Sequence, residues 1–269
     1  MNKLKIQIIG LGVVGSAQAY LSRQLGHEVF GYDKNPEVYD KVKGLVDDIN
    51  PVNEPKKDVD ITFITTPESE VEKTVHWLLE NKVKGIYVIK STVPVGETLN
   101  MMKKYNVNLS FNPEFLRENY AIEDVMNPSR IVIGECCKDH GYILEEFYKP
   151  LNKPIYRTDP TTAEIIKLVS NSLRSVMISF WNAVYLLSLK TGANINIIAE
   201  AADPAKVIGE WEGGKWGTRF FGKPYGGKCL PKDTKHLINS LKKYDIDPSP
   251  LEATEKINEF IKKLNDKNK

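Results

Sequence analysis

The sequence predicts an α/β architecture: a doubly wound parallel sheet over residues 1–157, then an α-helical central domain over residues 158–269, entered through one long connecting helix. Three observations predict it. Short β-branched runs alternate with segments of helical periodicity through the first half, the pattern that puts helices on both faces of a parallel sheet. Three glycines punctuate the first strand-to-helix turn. Beyond residue 160 the texture changes to one uninterrupted helical stretch.

Taken in order, "KIQIIG" reads as the first strand, ending in glycine, and "VVGSAQAYLSRQLG" as the first helix, closed by another. "HEVFGYD" is a second strand and "VDITFITTP" a third, followed by the amphipathic helix "ESEVEKTVHWLLENK". "GIYVIKST", "NLSFNP" and "SRIVIG" supply the fourth, fifth and sixth strands. "TTAEIIKLVSNSLRSVMISFWNAVYLLSLKTG" has a threonine start signal and a glycine stop at Gly192. Its length, about 30 residues or roughly 45 Å, exceeds what a sheet domain needs and points to a subunit contact, hence a homodimer. Shorter helices should follow, then a loop holding "YGGKCLPKD", then a last helix near 250–264.

The bulk properties narrow the class. The chain has 269 residues, 41% hydrophobic, enough for a sizeable core. Net charge is +2 and the lysine pairs are scattered, so no nucleic-acid footprint is expected. Three cysteines, two of them adjacent, do not make a disulfide framework and fit a reducing compartment. The N-terminus lacks a signal-peptide core. The longest apolar run carries Asn182 and is short for a membrane span. The expectation is a cytoplasmic protein with no membrane association and no metal.

"GLGVVG" sets Gly10, Gly12 and Gly15 around Val13 and Val14, between first strand and first helix. The first glycine makes the turn, the second admits a pyrophosphate to the backbone, and the third lets helix and strand pack closely. Asp33, at the end of the second strand, can accept hydrogen bonds from a ribose 2′-hydroxyl and would repel a 2′-phosphate. This Rossmann-type arrangement favours NAD over NADP, with neighbouring Lys34 as the one contrary charge. Thr66 and Pro67 at the end of the third strand, and Ser91 and Thr92 at the end of the fourth, belong to the same cofactor edge.

Further residues point to chemistry. Glu114 and Glu118 would share a face if "FNPEFLRE" were helical; alone, they read first as solvated helix charges. Lys167 and Asn171 lie four apart on an apolar helix, where an amine and an amide need partners. Thr92 could simply cap a strand. Cys229, preceded by Gly226 and Gly227 and flanked by Lys228 and Lys232, sits four residues before Asp233. A lone cysteine is usually a buried hydrophobe; nearby lysines instead favour thiolate.

Together "GLGVVG", "KSTVPVG", "FNPEFLREN", "TAEIIKLVSN" and "YGGKCLPKDT" resemble, in order, the UDP-glucose/GDP-mannose dehydrogenase family, over nearly the whole chain. The resemblance implies four-electron oxidation of a sugar-nucleotide primary alcohol, UDP-glucose first, to a carboxylate with two NAD. It makes Cys229 the nucleophile, forming a thiohemiacetal and then a thioester. It gives Lys167 and Asn171 to the oxyanion, and Asp233 with Thr92 to a proton-handling water. Glu114 would serve thioester hydrolysis, and Glu118 would position water beside the nicotinamide. Phe115, Leu116, Arg117, Tyr225 and Gly226 would line the substrate together with Glu114, Lys167 and Asn171. Cys136 and Cys137 match no role and are read as structural.

Three features depart from the family pattern. The chain runs only 36 residues past Asp233, where relatives continue into a second Rossmann-like domain; a fragment, a reduced enzyme, or a separate chain supplying that domain are the alternatives. Val207 stands where the family often has an arginine, with Lys206 and Arg219 as candidate substitutes. The loop after "TTP" is short. Two other readings stay open: a two-electron β-hydroxyacid-type dehydrogenase, which would not need Cys229, and a non-catalytic NAD-binding protein or half of a split enzyme.

Overall fold

The computed structural model describes residues 3–43, 50–202 and 222–267. The chain divides into two compact units, Met1–Lys167 and Leu168–Lys269.

The first unit is built on an eight-stranded sheet in the order β3-β2-β1-β4-β5-β6-β7-β8. Its strands are β1 (Lys5–Ile9), β2 (Glu28–Tyr32), β3 (Asn50–Pro51), β4 (Ile61–Ile64), β5 (Ile86–Ile89), β6 (Leu109–Phe111), β7 (Ile131–Gly134) and β8 (Ile155–Thr158). The six strands expected from the sequence are present, and β3 and β8 are additional to them. The sheet is parallel, as expected, through β6. At its far end β7 pairs antiparallel with β6, and β8 follows β7 in parallel.

The strands form because both faces are buried, as their near-continuous apolar runs require. Alternate residues feed two cores. Ile6, Ile8, Ile61, Phe63, Val88 and Ile133 face one, covered by α1 (Val13–Gln24) and α6 (Lys138–Tyr148). Ile9, Ile64, Ile89, Phe111 and Val132 face the other, covered by α3 (Glu68–Glu80) and α4 (Glu97–Tyr105). Two short helices, α2 (Glu37–Val42) and α5 (Ala121–Met126), complete the unit.

The long helix α7 spans Pro160–Thr191. Its start signal is Asp159, not a threonine: the carboxylate accepts from Thr162 N at 2.9 Å and from Thr162 Oγ1 at 2.6 Å. Pro160 then occupies the first helical position, where a missing N–H costs nothing. Gly192 ends the helix at φ +73°. The unit boundary falls inside α7, ten residues beyond the domain boundary expected at residue 157, because the first turns of α7 pack on the sheet. Gly134 has no side chain where Ala163 arrives; a Cβ there would stand 2.8 Å from the Ala163 methyl. Glu164, fully buried, accepts from Gly96 N at 2.6 Å and Thr98 N at 2.9 Å, capping α4 from outside. Burial pushes that carboxyl above the usual range.

The second unit holds the rest of α7 with α8 (Ile195–Ala201), α9 (Cys229–Lys243) and α10 (Ser249–Lys267). Among the described residues no helix is long and apolar enough to cross a membrane.

Replacing Asp159 with alanine is expected to destabilise the protein by about 1 kcal/mol, the usual cost of a lost N-cap, with Asp159→Asn closer to wild type. Urea unfolding at neutral pH measures it; the difference should shrink in acid, because Thr162 holds the Asp159 carboxyl below its ordinary value and protonation through that lowered range removes the cap.

Candidate functional site

The carboxyl ends of β1, β4 and β5 meet on one edge of the sheet. Gly10 leaves β1 at φ +95°, with its N–H donating to Tyr32 O at 2.8 Å. Gly15 passes so close that a Cβ would collide with the Gly10 carbonyl oxygen. At Gly12 an added Cβ would meet nothing within 4 Å, which leaves the backbone open to a ligand at the start of α1. Val13 and Val14 occupy that first turn.

Asp33 lies one residue past β2 rather than ending it. One carboxylate oxygen accepts from Leu11 N at 2.8 Å and the other from Asn35 N at 2.9 Å, so the acid is locked to the glycine turn. A cleft of about 270 Å³ opens beside it, lined by Gly10, Asp33, Lys34, Thr66 and Pro67 among others. Tyr32 and Trp77 also line it, with ring centroids 4.8 Å apart. Motif reading alone misses both aromatics. The available signal is helical spacing, since Glu70, Thr74 and Trp77 fall on one face of α3 and all line the cleft. Ser91 Oγ donates to Thr66 O at 2.5 Å, tying the loops after β4 and β5. The open glycine turn, the anchored acid and the apolar cleft fit the adenosine end of a dinucleotide.

Beneath this edge lies a buried polar node. Lys90, buried one residue past β5, donates to Asn112 Oδ1 at 2.8 Å and to Tyr148 Oη at 3.3 Å. Asn112 Nδ2 donates to Val132 O at 2.7 Å. Tyr148 Oη donates to Asn112 Oδ1 at 2.5 Å. Burial lowers the Lys90 ammonium to about 7, opposed by the Glu114 carboxylate and reinforced by Lys167.

The segment after β6 is irregular, not helical, so Glu114 and Glu118 do not share a helix face. Glu114 accepts from Leu116 N at 2.8 Å through one oxygen and from Lys167 Nζ at 2.8 Å through the other. Lys167 Nζ also donates to the Glu114 carbonyl at 2.7 Å and lies 5.6 Å from the Phe115 ring centroid. Arg117 is held by Asp124 through both ends of its guanidinium, at 2.9 and 2.7 Å. Glu118 is exposed and opens a 3₁₀ turn, Glu118–Tyr120. Thr92 is buried three residues past β5, beyond the strand end where the sequence puts it.

Within the second unit, Asn171 Nδ2 donates to Asp233 Oδ2 at 2.6 Å, and both side chains are buried. The other oxygen, Oδ1, accepts no hydrogen bond among the described residues; Lys232 Nζ lies 3.5 Å from it. Lys167 and Asn171, paired in the sequence reading, thus bond to different carboxylates. Cys229 is exposed and is the first residue of α9, so "KCLPKD" opens a helix rather than lying in a loop. Asp233 follows one turn later. The preceding segment is clamped: Tyr225 N donates to Asn258 Oδ1 at 2.8 Å, and Asn258 Nδ2 returns a bond to Tyr225 O at 3.0 Å. Tyr225 is buried, and burial pushes its hydroxyl up to about 12. An added Cβ at Gly226 would meet nothing within 4 Å. Val207, Lys206 and Arg219 lie outside the described residues.

The family model for the UDP-glucose/GDP-mannose dehydrogenase NAD binding domain matches residues 50–152, and the model for the central domain of that family matches residues 161–260. A UDP-glucose 6-dehydrogenase of Campylobacter jejuni is 33% identical, over 97% of this chain and 73% of its own. The chain spans about two thirds of the length of the first curated relatives it matches, 66% and 67%. A UDP-glucose dehydrogenase structure from Pyrobaculum islandicum superposes with a TM-score of 0.86 at 27% identity, covering 96% of this chain and 68% of that one. A 3-hydroxyisobutyrate dehydrogenase of Mycobacterium tuberculosis shares the fold alone, with a TM-score of 0.78 at 13% identity over 96% of this chain and 94% of that one.

Lys90 yields a pH signature. Its folded value lies below the unfolded one, so the unfolded chain binds more protons between about 7 and 10.5 and stability rises with pH there. The melting temperature should climb from pH 7 to about pH 9.5 more steeply in wild type than in Lys90→Met, read by calorimetry.

Proposed function

The chain belongs to the UDP-glucose/GDP-mannose dehydrogenase family and carries its NAD-binding domain, and from that premise we propose that it is an NAD-dependent oxidoreductase that converts the primary alcohol of a sugar nucleotide, UDP-glucose first, to the carboxylate. The observation that carries this reading is Cys229, exposed at the start of α9 with buried Asp233 one turn on. A two-electron alcohol oxidation has no use for that sulfur.

Bound NAD supplies the hydride acceptor, once for each of two oxidations. The residues of this chain do the rest. Asp33 and the Gly10–Gly15 turn hold the adenosine and pyrophosphate end. By the family resemblance, Asp233 and Thr92 would handle the alcohol proton through a water. Lys167 and Asn171 donate to the oxygen as negative charge develops on it. Cys229 adds to the aldehyde to give a thiohemiacetal, which keeps the half-oxidised sugar on the protein. Loss of a second hydride leaves a thioester, and Glu114 guides water onto it, releasing the acid and the thiolate. Glu118 orders water beside the nicotinamide, and the segment from Phe115 to Arg117 lines the substrate with Gly226. Location in the cytoplasm fits an enzyme of this kind that depends on a free thiol.

A second reading is a β-hydroxyacid-type dehydrogenase, an activity found on the same fold in the M. tuberculosis enzyme. The experiment that separates them is NADH formed per UDP-glucose consumed. Two NADH per sugar are expected. Cys229→Ser should abolish the acid product, and Glu114→Gln should slow turnover on the order of 10²-fold or more and accumulate a covalent adduct visible by intact-protein mass spectrometry. One NADH per substrate, insensitive to Cys229, would sink the proposal. Turnover only after addition of a separate chain would support the split-enzyme form.

We also propose a homodimer formed along α7. Ile165, Val169 and Leu173, spaced by four, and Phe180 are all at least 40% exposed, an apolar stripe on a helix face. Val169→Asp and Phe180→Asp should each halve the mass seen by analytical ultracentrifugation.

A further inference from the structure

Cys136, Cys137 and His140 take no part in the chemistry above. They lie where β7 runs into α6. Because β7 runs against β6, this junction heads toward the edge of the sheet opposite Gly10, Thr66 and Ser91, apart from the cofactor cleft.

Three donor atoms converge there. Cys136 Sγ is 3.8 Å from Cys137 Sγ and 3.1 Å from His140 Nδ1, and all three lie within 4.8 Å of one another. Tetrahedral zinc with Zn–S bonds of about 2.3 Å sets two thiolate sulfurs about 3.8 Å apart. The sulfur spacing found here already matches. Cys137 is the N-cap of α6, at φ −157° and ψ 163°, so strand gives way to helix at these residues. His140 is the third residue of the helix, and helical side chains lean back toward the N-terminus. Its ring therefore meets the sulfurs.

The surroundings suit a cation bound by soft donors. The three residues are half-buried. Ser110 Oγ lies 3.7 Å from Cys136 Sγ and can support a ligating sulfur with a hydrogen bond. Glu135, next in sequence, is not a competing ligand: it is paired with Arg157 at 2.6 Å. Two thiolates and an imidazole select zinc-like ions over magnesium or calcium, which prefer oxygen.

We propose that Cys136, Cys137 and His140 form a binding site for one soft divalent cation of the zinc class, with a fourth position left to water. This proposal departs from the expectation of no metal and of structural cysteines. The ion would clip β6, through the Ser110 contact, and the end of β7 to the first turn of α6. Binding to the folded chain alone would raise its stability.

The test is a cobalt titration of the reduced full-length protein, followed by its optical spectrum. One equivalent of cobalt should give a sulfur-to-cobalt charge-transfer band with tetrahedral d–d bands. Cys136→Ser and Cys137→Ser should each weaken binding by more than about 100-fold, beyond the cost of losing an outer-shell partner. Cys229→Ser should leave the titration unchanged. Zinc should raise the wild-type melting temperature and should fail to do so in His140→Gln, a variant that keeps both thiols and guards against misreading an unfolded cysteine mutant. Absence of the band at equimolar cobalt, or a band that vanishes with Cys229→Ser and survives Cys136→Ser, would overturn the site.

Discussion

The loops that follow β5 and β6 in the N-terminal unit are held together by one buried amine. Burying Lys90 is costly, and its hydrogen bonds to Asn112 and Tyr148 offset that cost. Its partners are not arbitrary. Asn112 begins the segment that carries Glu114, and Ser91 and Thr92 follow Lys90 directly. Holding Lys90 to Asn112 therefore fixes the spacing between the loop after β5 and the loop after β6. Asn112 then reaches Val132 O, across the seam where the strand direction reverses. A side chain stands in there for backbone pairing, since β6 and β7 share only the Phe111–Gly134 bridge. Tyr148 closes the node from α6. Such a network is stable only when every member is satisfied.

Much of this is legible in the sequence, and the misses have physical causes. The glycine turn, Asp33 and the long helix declare themselves because their residue types are tied to backbone geometry. The reversal of β7 is not readable, since "IVIG" buries equally well in either direction. Glu114 looks helical by spacing from Glu118. Instead its carboxylate bonds Leu116 N, a local contact that competes with helix formation just after Pro113. Asp159 hides behind the threonines beside it, though an aspartate before a proline is the stronger start signal. Cys229 reads as a loop residue because its glycines advertise a loop; Pro231, tolerated within a first turn, marks the helix.

The second unit orders its reactive segment by a different device. No strand pairs with residues 222–228 among the described residues. Asparagine side chains do the pairing instead. Asn182 binds Gly222 N and Lys223 O, Asn258 brackets Tyr225, and Asn265 takes Gly222 O. An amide offers a donor and an acceptor together, as a neighbouring strand would. This leaves Gly226 and Gly227 unencumbered just before the sulfur, while the backbone on their N-terminal side is tied down. It also explains how an asparagine can sit in the most apolar part of α7.

The helix α7 carries a consequence for how sequences like this one can change. Lys167 and Asn171 are four residues apart on a single unbroken helix, which turns by about 100° per residue. Substitutions along its surface leave that angle alone. An insertion or deletion of one residue between them would rotate Asn171 by about 100°, off the face it shares with Lys167, with no loop to absorb the error. Residue count is thus a constraint separate from composition: a change in length between Lys167 and Asn171 misplaces one of them whatever the other side chains are.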